Sequence, residues 1–546
     1  MSFRLPRRAF LGGAAAGLLA AGAGTAGLLS RGKGASEPRV PAAPQPTLTP
    51  TPAPTPTNPR TGGSQTIAAA ARFNFDTFDA QLTGEPSVVE ILGRTHSRLL
   101  QWEGGRLTGD LSERWETPDA QTVVLHLDPA AKWQPRAPLN GRAVAAADVA
   151  THLQRSLELS RSDATVRAQR YWTYGSVRSV DSPGDHAVRV HLGRPDPFIL
   201  DTMAAEFALV QAPEAVASFA ELWPKQDSDH VVGSGPWLFD WADDGLKFTA
   251  WREGHRKPLL DQLFVVEPKD AAQRFADGSL DEVTVFDRRD AARLRTITGV
   301  TQTVRPQREV IMSSFFVGAP PWNQPELLAA MSAALNREWL VQALLGGRAA
   351  VCGPVPGVLA NVPPGGSGYS ALPGYSPWNE REAADARRRW EAAGGPGLGQ
   401  VVIDFPSVFD PLYSASSVIV DQLNRVLGAQ FRPAVETYTT VSQRVVDGYY
   451  GQGRAATWFG WGPPMASPEA GRFVAELYAP DSPGQRAVGG AGLADPWSPQ
   501  ATVEGGFGGV LHWALPVNEV FRKEGVSGPG PTAFWGQHLD YQRSNG

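Results

Sequence analysis

The chain has 546 residues and only one cysteine, Cys352. A disulfide framework is therefore excluded, and no thiolate set exists for a zinc or iron–sulfur site. A lone cysteine reads as a small buried apolar side chain rather than a nucleophile. Excess positive charge is lacking too. The net charge is −5, and the first sixty residues hold seven Lys/Arg against one acidic residue, so the remainder carries about −11. That mildly acidic body argues against nucleic-acid binding. Also missing are a complete Gly-x-x-x-x-Gly-Lys-Ser/Thr phosphate loop (Gly27 to Lys33 is followed by Gly34), a Cys pair, a His-Glu-x-x-His helix and a Gly-x-Ser-x-Gly elbow. Nothing in the chain recommends an enzyme, and no cofactor or metal is expected. His186 and His191 fall in a strand pair, where packed or surface histidines outnumber metal ligands.

What is present is a long, loop-rich globular sequence. It contains 17 Trp, 58 Gly and 47 Pro, and its length implies two to four domains. Arg7-Arg8 precede Ala9-Phe10-Leu11 and an uncharged Ala/Gly/Leu run to Ser30. A twin-arginine pair before a weakly apolar core resembles a Tat export signal. The run is also just long enough to serve as an uncleaved membrane anchor. Residues 41–59 (PAAPQPTLTPTPAPTPTNP) form a Pro/Thr tract, expected to be extended and to act as a tether.

The stretch 110–158 organises the folded part. Residues 112–119 read as a polar turn with one Trp. Residues 122–127 alternate as a half-buried strand. Asn140-Gly141 signals a turn, and residues 147–159 carry helical spacing with Asp148 near the helix start. Further on, Gly233-Ser234-Gly235-Pro236-Trp237 precedes two short strands. Asn336-Arg337-Glu338 separates two helices, and residues 379–394 and 414–427 are further helices, the last closed by Gly428.

The order of these details resembles the family 5 extracellular solute-binding proteins, the dipeptide/oligopeptide-binding group of ABC importers. The resemblance rests on Trp115 followed by Thr117-Pro118-Asp119, on Pro138-Leu139-Asn140-Gly141-Arg142, on Ala147-Asp148-Val149, and on Val232-Gly233-Ser234-Gly235-Pro236. The resemblance implies an α/β fold of periplasmic-binding-protein type II, with two lobes, a hinge, an extra α+β domain and mixed sheets. The expected divisions are 1–34 export signal or anchor, 35–64 tether, 65–100 lobe I, 101–230 extra domain, 231–308 lobe I, 309–505 lobe II and 506–546 lobe I. It also implies a small-molecule or peptide solute and a membrane ABC permease as partners, an extracytoplasmic location and a monomeric chain. A Tat-exported enzyme and a transporter-independent receptor are the alternatives.

The expected ligand contacts are Phe75, Asp76, Trp458, Phe459 and Trp461. In peptide-binding members the loop matching residues 455–465 (AATWFGWGPPM) carries an Asp for the ligand's ammonium. Here the stretch between Tyr449 and Ser467 holds no acidic residue. A buried ammonium needs a carboxylate. The missing Asp therefore favours a ligand recognised by aromatic faces over a free-amino-terminus peptide.

Overall fold

The computed structural model describes residues 61–69, 72–83, 85–103, 106–160, 168, 174–285, 288–306, 310–315, 320–322, 324–345, 378–406, 415–437, 440, 444, 455–461, 510–514, 517–523 and 541–543. All belong to one compact unit, Thr49–Gly546. The export and tether segments expected before residue 61 lie outside the described residues, as does Cys352.

The strands in chain order begin with β1 (Ser64–Ala68), β2 (Leu100–Glu103), β3 (Arg106–Gly109), β4 (Ser112–Asp119), β5 (Thr122–Leu127), β6 (Val177–Gly184) and β7 (Ala187–Leu192). Next come β8 (Trp237–Ala242), β9 (Gly245–Ala250), β10 (Arg256–Pro258), β11 (Gln262–Val266), β12 (Glu282–Val285) and β13 (Val300–Pro306). The last are β14 (Val310–Phe315), β15 (Gln400–Pro406), β16 (Gln430–Glu436), β17 (Ala455–Trp461), β18 (Val510–Ala514), β19 (Val517–Lys523) and β20 (Tyr541–Arg543).

Three sheets carry the fold. One runs β13-β19-β12-β1-β11-β9-β8, a second β16-β15-β17-β14-β18, and a third β4-β5-β7-β6. Strict alternation in β5 and β7 buries Val123, Leu125, Leu127, Val188, Val190 and Leu192. That face packs on the helix Ala146–Leu159, which buries Ala146, Val149, Ala150 and Leu153. The segment expected as a polar turn is instead strand β4. Six of its eight residues are exposed, on both faces, but backbone pairing to β5 does not depend on polarity. Edge position explains the polar composition. A helix spans Pro86–Thr95 and stops short of Leu100, which pairs with Gly109 in the β2–β3 ladder.

The apolar core is continuous from the seven-stranded sheet (Ile67, Trp237, Val265) into the four-stranded one (Leu125, Val188). The five-stranded sheet has a separate core, built on Trp322, Leu327, Trp390, Phe405 and Leu423.

The Gly-Ser-Gly-Pro-Trp motif joins parts of the first core. An added Cβ on Gly233 would lie 2.1 Å from the Thr95 carbonyl oxygen, and one on Gly235 would lie 2.5 Å from that of Arg94. Only glycine permits this approach. Gln134 completes the joint. Its side-chain amide donates to the carbonyls of Thr95, Gly235 and Trp237 at 3.2, 3.0 and 2.7 Å and accepts from Gly233 N at 3.2 Å.

Candidate functional site

Strand direction locates the edges where ligands are met. In the seven-stranded sheet β1 is parallel to β11 and β12, while β19 is antiparallel to β12 and β13. In the five-stranded sheet β15 is parallel to β16 and β17, and β14 is antiparallel to β17 and β18. The chain passes between these sheets twice, from Pro306 to Val310 and from Ala514 to Val517. The crossings are neighbours, because Pro306 pairs with Val517 and Ile311 with Ala514. The C-terminal ends of β1, β11 and β12, and those of β15, β16 and β17, therefore all point to the crossing side. In open α/β sheets, ligands bind beyond the carboxyl ends of parallel strands.

Phe75 and Asp76 lie in the loop that follows the C-terminal end of β1. The Phe73 amide donates to Glu267 Oε1 at 2.7 Å, which ties this loop to the end of β11. The Phe75 ring packs 5.5 Å from Phe73 and 5.0 Å, edge to face, from Trp241. Gln226, in a left-handed conformation at φ 58°, clamps the pair. Its side chain donates to the Phe75 carbonyl at 2.7 Å, and its carbonyl accepts from Trp241 Nε1 at 2.8 Å. Asp76 Oδ1 accepts from the Thr77 amide at 2.6 Å and from Thr83 Oγ1 at 2.7 Å. Burial raises its pKa from the ordinary 3.8, partly offset by those two hydrogen bonds.

Trp458, Phe459 and Trp461 lie on β17, in the other sheet. Trp461 is its last residue and pairs with Val310 at the crossing, whereas Trp458 pairs with Met312 inside the ladder. The Gly-Pro-Pro-Met end of that stretch lies outside the described residues. The register thus sets Phe75 and Asp76 on one crossing-side edge and Trp461 on the other.

Sequence reasoning missed Trp241 and an ion cluster beside β17. Trp241 shares strand parity with buried Trp237 and Phe239, so alternation marks it as core. It lies instead at the sheet's edge and is 39% exposed. The cluster is built by Arg444, which pairs with buried Asp404 and, at 3.1 Å, with Glu436 at the end of β16. Burial works against the guanidinium charge, but the hydrogen bond and charge of Asp404, then Glu436, outweigh it and raise its pKa. Arg444 is thus already neutralised from within the protein. Among the described residues no group of three His, Cys, Asp or Glu is placed to hold a metal, and no helix is long and apolar enough to cross a membrane. His191 Nε2 donates to Asp181 Oδ2 at 2.8 Å, in an ordinary cross-strand pair.

A model of the bacterial extracellular solute-binding proteins, family 5, matches residues 106–474. The chain belongs to that family. A Brucella ovis protein named as an ABC transporter peptide-binding protein is 26% identical over 259 residues, 44% of this chain and 45% of that protein. The peptide transport periplasmic protein SapA of Salmonella typhimurium is 24% identical over 292 residues, 50% of this chain and 53% of its own length. The chain spans about half the length of the curated relatives it matches. Solved structures cover more of it. Helicobacter pylori DppA in complex with the peptide STSA superposes with a TM-score of 0.69 at 16% identity, over 89% of this chain and 99% of that one. Agrobacterium tumefaciens AgaA in complex with agropinic acid gives 0.67 at 17%, again over 89% and 99%. The fold is that of the type II periplasmic binding proteins.

Proposed function

We propose that this protein is the extracytoplasmic solute-binding component of an ABC importer. It captures a small solute between the two sheets and delivers it to a membrane permease. The observation that carries this reading is the pair of neighbouring crossings, with the C-terminal edges of both sets of parallel strands on the crossing side. Two short connections between separate cores are what a hinge requires. Closure over a solute excludes water, so a few polar contacts give specificity. The lobes divide as the sheets do, with the four-stranded sheet as the extra domain. Family membership and the likeness to solute-bound structures support the same reading.

On this reading Phe75 and Asp76 face the solute from one lobe, and Trp461 with Phe459 from the other. Trp458, inside the ladder, is the most structural of the five. The twin-arginine segment would export the folded chain, the Pro/Thr tract would space it from the membrane, and the protein would act as a monomer without chemistry of its own. A thermal-shift screen over peptides, sugars and aromatic cations tests the proposal. It predicts stabilisation by one compound class, no turnover of that compound, and a loss of binding in Trp461→Ala. Stabilisation by none of these classes, or consumption of the compound, would count against it.

A further inference from the structure

The loop of residues 455–465 lacks the carboxylate that a cationic ligand needs. The structure offers one on the opposite edge. Asp76 is half-buried at the C-terminal end of β1, and its recorded hydrogen bonds, from Thr77 and Thr83, both go to Oδ1. No ion pair joins it to a described residue. Glu267, at the end of β11, also lacks an ion pair among the described residues but accepts the Phe73 amide, and three other nearby carboxylates are paired. Asp79 is paired with Arg155, Asp404 with Arg444, and Asp240 with Arg136. A half-buried carboxylate without a counter-charge is unfavourable unless something cationic completes it.

Its surroundings match such a partner. Phe75 precedes it in the chain and stands 5.0 Å from Trp241. Trp241 is 39% exposed, yet its ring is fixed by the indole hydrogen bond to Gln226 and by edge contacts with Phe75 and Phe239. The ladder sets Trp241 opposite Leu246, Leu246 opposite Val265, and Val265 opposite Ile67, so Trp241 stands at the same crossing-side edge as the Asp76 loop. A fixed aromatic pair at the same sheet edge as an uncompensated carboxylate is an arrangement suited to ammonium and guanidinium groups.

We infer that Asp76, Phe75 and Trp241 form a subsite for a cationic group of the captured solute, an amine or a guanidinium. This rests on the solute-capture reading proposed above. Asp76 supplies the counter-charge, and the aromatic pair excludes water from it and contacts the flanking carbon atoms. The cation enters from the lobe opposite β17, so the missing Asp near Trp461 does not exclude an amine-bearing ligand.

The test uses an equimolar pool of free tripeptides, N-acetylated tripeptides, polyamines, amino sugars and neutral sugars. The full chain is incubated with the pool, desalted and denatured, and the released compounds are identified by mass spectrometry. The wild type should retain amine-bearing members over their neutral counterparts by about tenfold or more. Asp76→Asn should abolish that preference, and Trp241→Leu should weaken it, with thermal unfolding checked for each. Retention of neutral members only, or an unchanged preference in folded Asp76→Asn, would overturn the inference alone. A wild type that retains nothing would overturn both the inference and the solute-capture reading beneath it.

Discussion

At the scale of single residues, three buried groups govern how the protein answers to acid. His96 and His152 are fully enclosed, and burial pushes each pKa from 6.5 down to about 3. Both are neutral in the folded state, while the unfolded chain takes up protons near 6.5. Stability is therefore fully present above that value and is lost as pH falls towards 3. Asp110 works in the same direction at lower pH. Its burial favours protonation, but the charge of Arg256 and the hydrogen bond from His255 outweigh this and hold it at about 2. Its stabilisation is present above 3.8 and is lost as pH falls to about 2. Urea midpoints should accordingly decrease between about pH 7 and about pH 4.5. Asp110→Asn removes the carboxylate that Arg256 and His255 both meet in the core and should cost about 3–5 kcal/mol in the same assay at neutral pH.

At the scale of elements, the Gly-Ser-Gly-Pro-Trp segment joins the helix Pro86–Thr95 to the strand that follows it. Gly233→Ala drives a Cβ against backbone rather than a movable side chain. It should cost several kcal/mol, about the size of a severe core overpacking, or prevent folding. Gly397→Ala, with nothing within 4 Å of the added carbon, should be nearly neutral in the same denaturation assay. Much at this scale was legible from sequence. The alternation of residues 122–127 and the spacing of residues 147–159 mark their elements, because burial on one face imposes the period. The strand Ser112–Asp119 was not legible, since an exposed edge strand carries no apolar period. Trp241 was misleading for the opposite reason. Its parity belongs to the core, and only the end of the strand brings it to the surface.

At the scale of the whole molecule, the sequence shows an order of motifs, and the structure turns that order into a seven-stranded and a five-stranded sheet joined by two neighbouring crossings. The two crossings lie more than two hundred residues apart in the chain, so no local pattern announces that they are neighbours. Asp76 and Trp461, both among the expected ligand contacts, belong to different sheets and are related only through strand direction. The likeness to DppA and AgaA extends over most of the chain, while the loop of residues 455–465 departs from the peptide-binding pattern. On the proposed reading, specificity rests on Asp76, Trp241 and Trp461 rather than on the family as a whole.

Solute-driven closure is the central claim, and small-angle scattering tests it most directly. The full chain is measured alone and saturated with the compound that most raises its melting temperature. The account predicts a smaller radius of gyration in the bound state, and an unchanged one for Trp461→Ala at the same compound concentration. Identical scattering of free and saturated wild-type protein would contradict it.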